Sequence, residues 1–255
     1  MTRSKLLMGL ILFFFAIADS WSMNLSVCAD EWYPVNGRSA KAPGYGLELA
    51  REIFKAHNVV IEYREMPWKT ALEKAKTGEC DAIIGASKYD TPIYHYPVEP
   101  IGVVRNYLYV KKENPWRYTG LASLAQIRLG IIDTYFYDKE FNSYIDANRN
   151  SHHVVVSSAK EGIEGLVWRL LYDKVDVLIE ANIVMQAKLR EKELTESIIP
   201  AGAVGKDDEI YLAFSLVAKD ANQWATWFDA GIQELRSNGN LTVLLKRYGL
   251  EDWKK

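Results

Sequence analysis

KTGECDAIIGA at residues 76–86 and LLYDKVDVLIEA at residues 170–181 share one grammar: a helix end, a tight turn, an Asp (Asp81, Asp176) and an apolar run. Short apolar runs bounded by turn residues read as buried strands. Upstream of the first run, Trp68, Ala71, Leu72 and Ala75 recur at helical spacing, and Gly78 stops that helix. Earlier still come VVIEY (residues 59–63), a helical stripe of Leu47, Ala50, Ile53 and Phe54, and LSVCA (residues 25–29), which ends at Asp30. Between that strand and the first helix lies the Gly-, Pro- and aromatic-rich loop of residues 31–46.

The second run has matching company. IRLGIID (residues 127–133) ends in Asp133, VVVSS (residues 154–158) follows, and Ser158 with Glu161 predicts a capping box for a helix carrying Ile163, Leu166, Val167 and Leu170. Strands alternating with short helices imply βαβ units. RNYLYVKK (residues 105–112) reads as a strand crossing between the repeats, and IYLAFSLVAK (residues 210–219) as the returning one. Two amphipathic helices end the chain, one with Trp224, Trp227, Phe228, Ile232 and Leu235, the other with Leu241, Leu244, Leu245 and Tyr248. The fold expected is α/β and two-lobed, each lobe a mostly parallel sheet flanked by helices, with two hinge segments and a cleft between. Lobe 1 takes residues 23–104 and 209–255, and lobe 2 takes residues 105–208.

Composition agrees. With 255 residues, 49% of them hydrophobic, the chain can bury one large core or two moderate ones. Its 31 Lys+Arg against 33 Asp+Glu give no basic footprint for nucleic acid. Arg3 and Lys5 precede an apolar run at residues 6–18, the pattern of a secretory signal peptide cleaved after Ala18 or Ser22. The run falls short of the roughly 20 residues that span a bilayer. A periplasmic protein, not embedded in a membrane and monomeric, is expected. Val27 stands where a lipid-modified Cys28 would need a small residue.

In order along the chain, ADEWYP (29–34), GYGLELAREI (44–53), PWKTALEKAKTGECDAII (67–84), YLYVKK (107–112), VDVLIE (175–180) and SNGNLTVLLKRYG (237–249) resemble family 3 of the extracellular solute-binding proteins, which serve polar amino acid ABC transporters. The resemblance implies a type II periplasmic-binding-protein fold that closes around a small solute. Carried over position by position, Asp30 and Tyr33 line the cleft and Trp68 supplies a stacking ring. Gly85, Ala86 and Lys88 follow the strand whose backbone and hydroxyl groups hold a carboxylate in the family. Asp133, Thr134 and Tyr135 occupy the turn whose amides meet the same carboxylate. Glu180 ends the strand that supplies an acid for the ligand's ammonium group.

The chain departs from that pattern in three places. The window at residues 91–93 lacks the Arg whose planar fork grips an α-carboxylate. The usual ammonium-binding Asp falls at Ala181, and Asp133 replaces a Gly. An unpaired buried carboxylate costs several kcal/mol, so a standard α-amino acid is expected to bind poorly unless Lys88 or Arg105 compensates. Trp32, Tyr33, Tyr45, Trp68, Tyr89, Tyr94, Tyr96, Tyr135, Phe136 and Tyr137 are the candidate aromatic wall; with Asp30, Asp133 and Glu180 they suit a cationic or flat ligand.

Cys28 and Cys80 sit on neighbouring strands with an offset of about three residues, roughly 10 Å. Disulfides tolerate at most about 7 Å between Cα atoms, so two free thiols are expected. His152 and His153 are adjacent, without metal-pair spacing, and no cofactor is expected. The sequence carries no GxSxG, HExxH or phosphate loop. The expected function is solute capture for an ABC permease. The alternatives are a stand-alone sensor for a membrane receptor, and a periplasmic dehydratase using Asp30, Asp133 and Glu180.

Overall fold

The computed structural model describes residues 23–37, 39–89 and 91–254; the expected signal peptide lies outside them. The first lobe begins with β1 (Met23–Ala29), α1 (Tyr45–Lys55), β2 (Val59–Glu65), α2 (Trp68–Thr77) and β3 (Ala82–Ser87). Gly78 ends α2 in the left-handed conformation (φ 82°), and its amide closes on the carbonyls of Lys74 and Ala75. β4 (Gly102–Lys111) carries the chain into the second lobe, which holds β5 (Leu129–Ile132), α3 (Lys139–Asn148), β6 (Val154–Ser157), α4 (Gly162–Leu171), β7 (Val177–Ala181) and α5 (Asn182–Glu191). β8 (Ile198–Phe214) returns, and α6 (Ala221–Ser237) and α7 (Asn240–Arg247) finish the first lobe.

All strands join in one mixed sheet of order β2-β1-β3-β8-β4-β7-β5-β6. The pairs β1–β2, β1–β3, β5–β6 and β5–β7 are parallel, as βαβ units require. Antiparallel pairs arise where β4 and β8 join the lobes. β8 is 17 residues long, far longer than the returning strand the sequence suggested. Pro200, Gly202 (φ 153°) and Gly205 (φ 67°) interrupt its alternation, so residues 198–209 carry no strand signal in the sequence.

The repeated Asp has one job in both lobes. Oδ2 of Asp81 accepts from the Ser26 amide at 2.8 Å, while the Asp81 amide donates to the Ser26 carbonyl at 3.1 Å. Oδ2 of Asp176 accepts from the Arg128 amide at 2.8 Å, and its amide donates to the Arg128 carbonyl at 2.9 Å. Each Asp thereby ties the start of a strand to the first strand of its lobe. The capping box forms: the Ser158 amide donates to Glu161 at 3.0 Å and the Glu161 amide to Oγ of Ser158 at 3.3 Å, just ahead of α4.

The first lobe buries Leu25, Leu47, Phe54, Phe214 and Phe228 between β1, β8, α1 and α6. Ala71, Ala75 and Ile83 pack beneath α2 on the other face. The second lobe buries Leu108, Phe141 and Ile179 on one face and Leu166, Leu178 and Met185 on the other.

Cys28 and Cys80 are joined in a disulfide, their Cα atoms 6.2 Å apart, which corrects the expectation of free thiols. The register offset is as inferred, since Cys28 faces Ile83. Cys80, however, precedes β3 and belongs to the bend after Gly78, where the Asp81–Ser26 bonds draw the chain back against β1.

Candidate functional site

The loops after β1, β3, β5 and β7 meet at one place, the carboxyl ends of the parallel strands, where open α/β sheets hold their ligands. They enclose a cavity of about 390 Å³. Asp30, Trp32, Trp68, Ile84, Gly85, Ser87 and Tyr89 wall it from the first lobe. Tyr135, Phe136, Tyr137, Asp138 and Glu180 wall it from the second, and Val104, Asn106, Lys206, Asp207, Asp208 and Ile210 come from β4 and β8.

Asp30 is fixed through its backbone: its carbonyl accepts from Nδ2 of Asn36 at 2.5 Å and from the Tyr63 hydroxyl at 3.2 Å. Its carboxylate takes the Tyr135 hydroxyl across the gap at 2.7 Å. Burial pushes the Asp30 carboxyl up to about 6, against the opposing pull of that hydrogen bond. Glu180, next to last in β7, is 1% exposed. Its Oε1 accepts from the Ala181 amide at 2.8 Å and from the Trp32 indole at 3.3 Å. Among the described residues its Oε2 is buried and meets no donor. Burial first, and the Asp30 charge in addition, raise Glu180 to about 7. Burial also raises Asp208 above the usual carboxylate range.

The Trp32 indole lies over Gly85, where φ is 88° and an added Cβ would stand 3.1 Å from the ring. Gly85 sits at the bulge of β3, which lets backbone and ring approach so closely. Tyr89 and Phe136 meet across the mouth with ring centroids 5.7 Å apart.

Of the residues singled out in the sequence, Asp30, Trp68, Gly85, Tyr135 and Glu180 converge on this cavity. The other five lie elsewhere. Tyr33 turns to the first core and meets the Tyr248 ring at 6.0 Å. Ala86 is fully buried beside α2. Lys88 reaches away to the Tyr211 hydroxyl at 3.0 Å and lies 4.2 Å from the centre of that ring. Asp133 is ion-paired with Arg149, and Thr134 takes the left-handed turn (φ 68°) outside the cavity wall.

Of the candidate aromatics, Trp32, Tyr89, Phe136 and Tyr137 also line the cavity, whereas Tyr45 and Tyr94 are core residues and Tyr96 packs edge-on to Tyr211. Arg105 donates to the Gly205 carbonyl at 3.1 Å and pairs with Asp207 at 3.9 Å, and among the described residues its Nε is buried without a partner. Sequence reasoning missed Asp138, Lys206, Asp207 and Asp208. For the last three the only signal was the charged run KDDE (residues 206–209), which reads as a solvated loop. Among the described residues, no His, Cys, Asp and Glu cluster is arranged to hold a metal, and no helix is long and apolar enough to cross a membrane.

The profile of the bacterial extracellular solute-binding proteins, family 3, matches residues 25–251. No curated protein sequence matches the chain. Among solved structures, a chain from glutathione import through GshT and the cystine ABC importer TcyBC of Streptococcus mutans superposes with a TM-score of 0.73 at 18% identity, covering 91% of this chain and 99% of that one. The amino acid ABC transporter substrate-binding protein AbpA from Streptococcus pneumoniae, bound to L-arginine, gives 0.68 at 21% identity over 88% and 94% of the two chains. A histidine kinase sensor domain similar to periplasmic binding proteins gives 0.72 at 19% identity over 90% and 98%. At these identities the likeness is one of fold.

Proposed function

The chain belongs to family 3 of the bacterial extracellular solute-binding proteins, and on that footing we propose that it captures a small polar, amino-acid-like or cationic solute between its lobes and delivers it to an ABC importer. The observation that carries this reading is the cavity walled by both lobes, with Glu180 in its lining and the Oε2 of that residue buried without a partner among the described residues. At about 390 Å³ it lies in the range of small-molecule pockets.

The lobes take residues 23–104 with 209–255, and residues 105–208, and they close about β4 and β8. A solute touching both lobes favours the closed form, which exists without it. Glu180 and Asp30 set the charge preference, Trp68 and Trp32 provide flat walls, and Tyr135 latches the closed form. Residues 1–22 serve as a cleaved leader, and the mature monomer works in the periplasm. The Cys28–Cys80 disulfide supports an oxidising compartment.

Delivery to a sensor receptor is the second reading. The likeness to a histidine kinase sensor domain, nearly all of which is matched, favours it. A permease and an ATPase encoded beside this chain would decide for import, a kinase or cyclase for sensing.

Native mass spectrometry of protein recovered from its own periplasm tests the shared premise. A solute released on denaturation, with X-ray scattering showing expansion once it is stripped, supports capture. An empty protein whose outline no metabolite extract alters refutes it.

A further inference from the structure

In the resemblance, three devices hold an α-carboxylate: an arginine fork, the backbone near Gly85, and the turn amides at Asp133–Tyr135. None serves that purpose in this cavity. Among the described residues no arginine lines it. The Trp32 ring covers Gly85, leaving 3.1 Å between the ring and the place a Cβ would take. The Asp133 amide donates to the Ser157 carbonyl at 2.8 Å and the Tyr135 amide to the Ile132 carbonyl at 3.4 Å, while Thr134 between them is exposed and outside the cavity lining.

The other end of a ligand is provided for instead. Oε2 of Glu180 is buried without a donor, in a residue whose other oxygen is already held by the Ala181 amide and the Trp32 indole. A buried acceptor of this kind stays unsatisfied until an N–H group reaches it. Asp30 and Asp208 line the same cavity. The one cationic side chain there among the described residues, Lys206, is exposed and adjoins Asp207 and Asp208. Trp32, Trp68 and Phe136 present rings to the same space, and ring faces attract ammonium and guanidinium groups.

We propose that the solute is an organic cation without an α-carboxylate, an amine or guanidine whose N–H group bonds Oε2 of Glu180 while its carbon body lies against the tryptophan rings. The assignment rests on the capture reading above and narrows it to a ligand class. A carboxylate brought into this cavity would meet Asp30, Glu180 and Asp208, with no arginine fork among the described lining residues to balance it.

The test is calorimetry at pH 8 on the stripped, disulfide-intact mature chain with matched pairs: agmatine and arginine, cadaverine and lysine, tyramine and tyrosine, histamine and histidine. At least one decarboxylated member should bind at least tenfold more tightly than its parent. Glu180→Gln, shown folded by its thermal transition, should weaken that member at least tenfold. A parent amino acid binding as tightly as its amine, no binding by either set, or unchanged amine affinity in Glu180→Gln would each overturn the assignment. If both sets fail but another solute co-purifies and compacts the protein, capture stands and only the ligand class falls. If nothing binds and the outline never changes, capture falls with it.

Discussion

The Tyr135 hydroxyl and Oδ2 of Asp30 are hydrogen-bonded at 2.7 Å, though the residues stand 105 positions apart and belong to opposite lobes. On the capture reading the lobes part when the solute leaves and the bond breaks with them, so it weights the closed state. Hydrogen bonds to charged groups contribute about 1.5–3 kcal/mol. Tyr135→Phe should therefore enlarge the ligand-free protein in X-ray scattering and weaken solute binding about tenfold or more, read by calorimetry.

Glu180 sits at about 7 and Asp30 at about 6, both above their ordinary values of 4.5 and 3.8. Folding therefore favours their protonated forms, and stability falls as pH rises from the unfolded value towards the folded one. For Glu180 the loss amounts to at most about 3 kcal/mol above pH 7, at 1.36 kcal/mol per pKa unit. Glu180→Gln keeps an acceptor for the Ala181 amide and removes the buried charge. Urea titrations should show it more stable than the parent at pH 8 and little changed at pH 4.

The same carboxylates tie binding to pH. A cation is held by the ionised forms, so affinity for an amine should climb from pH 5 to pH 7 and level off above. Calorimetry at successive pH values reads the profile. A neutral or anionic solute would give a flat or falling one.

Cys28 and Cys80 close a loop with a sequence separation of 52 residues. Loop-closure entropy puts the stabilisation near about 4 kcal/mol. Reduction, or a Cys28→Ala/Cys80→Ala double variant, should lower the denaturation midpoint accordingly. Reduction should also raise the mass of the mature chain by two hydrogens.

Glu99, only 4% exposed, anchors the chain's end: it accepts from Nζ of Lys254 at 2.8 Å and from Arg236 at 3.2 Å. Burial works to raise its carboxyl, yet Lys254, Gln233 and Arg236 together hold it below the ordinary value. Its contribution is present above the unfolded value and is lost as pH falls. Glu99→Ala should destabilise the protein by about 1.5–3 kcal/mol at pH 7, the range of hydrogen bonds to charged groups, and by less at pH 3, in denaturant titrations.

The lobes were legible because their signal is local: a helix, a turn, an Asp and an apolar run recur, and the Asp plays one structural role at both places. Asp30, Trp68, Gly85, Tyr135 and Glu180 were legible because strand ends and a helix start deliver them to the cleft whatever packs behind. Tyr33, Lys88 and Asp133 were not, since partners remote or unmarked in sequence settle where those side chains point: Tyr248 from the far end of the chain, Tyr211 from β8, and Arg149 just past α3. The contribution of residues 206–208 was hidden because glycines break the alternation of β8 just there. The disulfide was missed because position 80 was assigned to a straight strand when it belongs to a bend.

β8 runs through both lobes, between β3 of one and β4 of the other, and its last residues pair with β3 to complete the lobe that begins the chain. A polypeptide emerging from its amino end presents β1 to β3 long before that rung exists. The lobe begun first is therefore completed last, after the second has had all its own strands except the start of β8. Until then the exposed edge of β3 waits, and the Cys28–Cys80 link, formed from residues already delivered, is available to keep those early strands together.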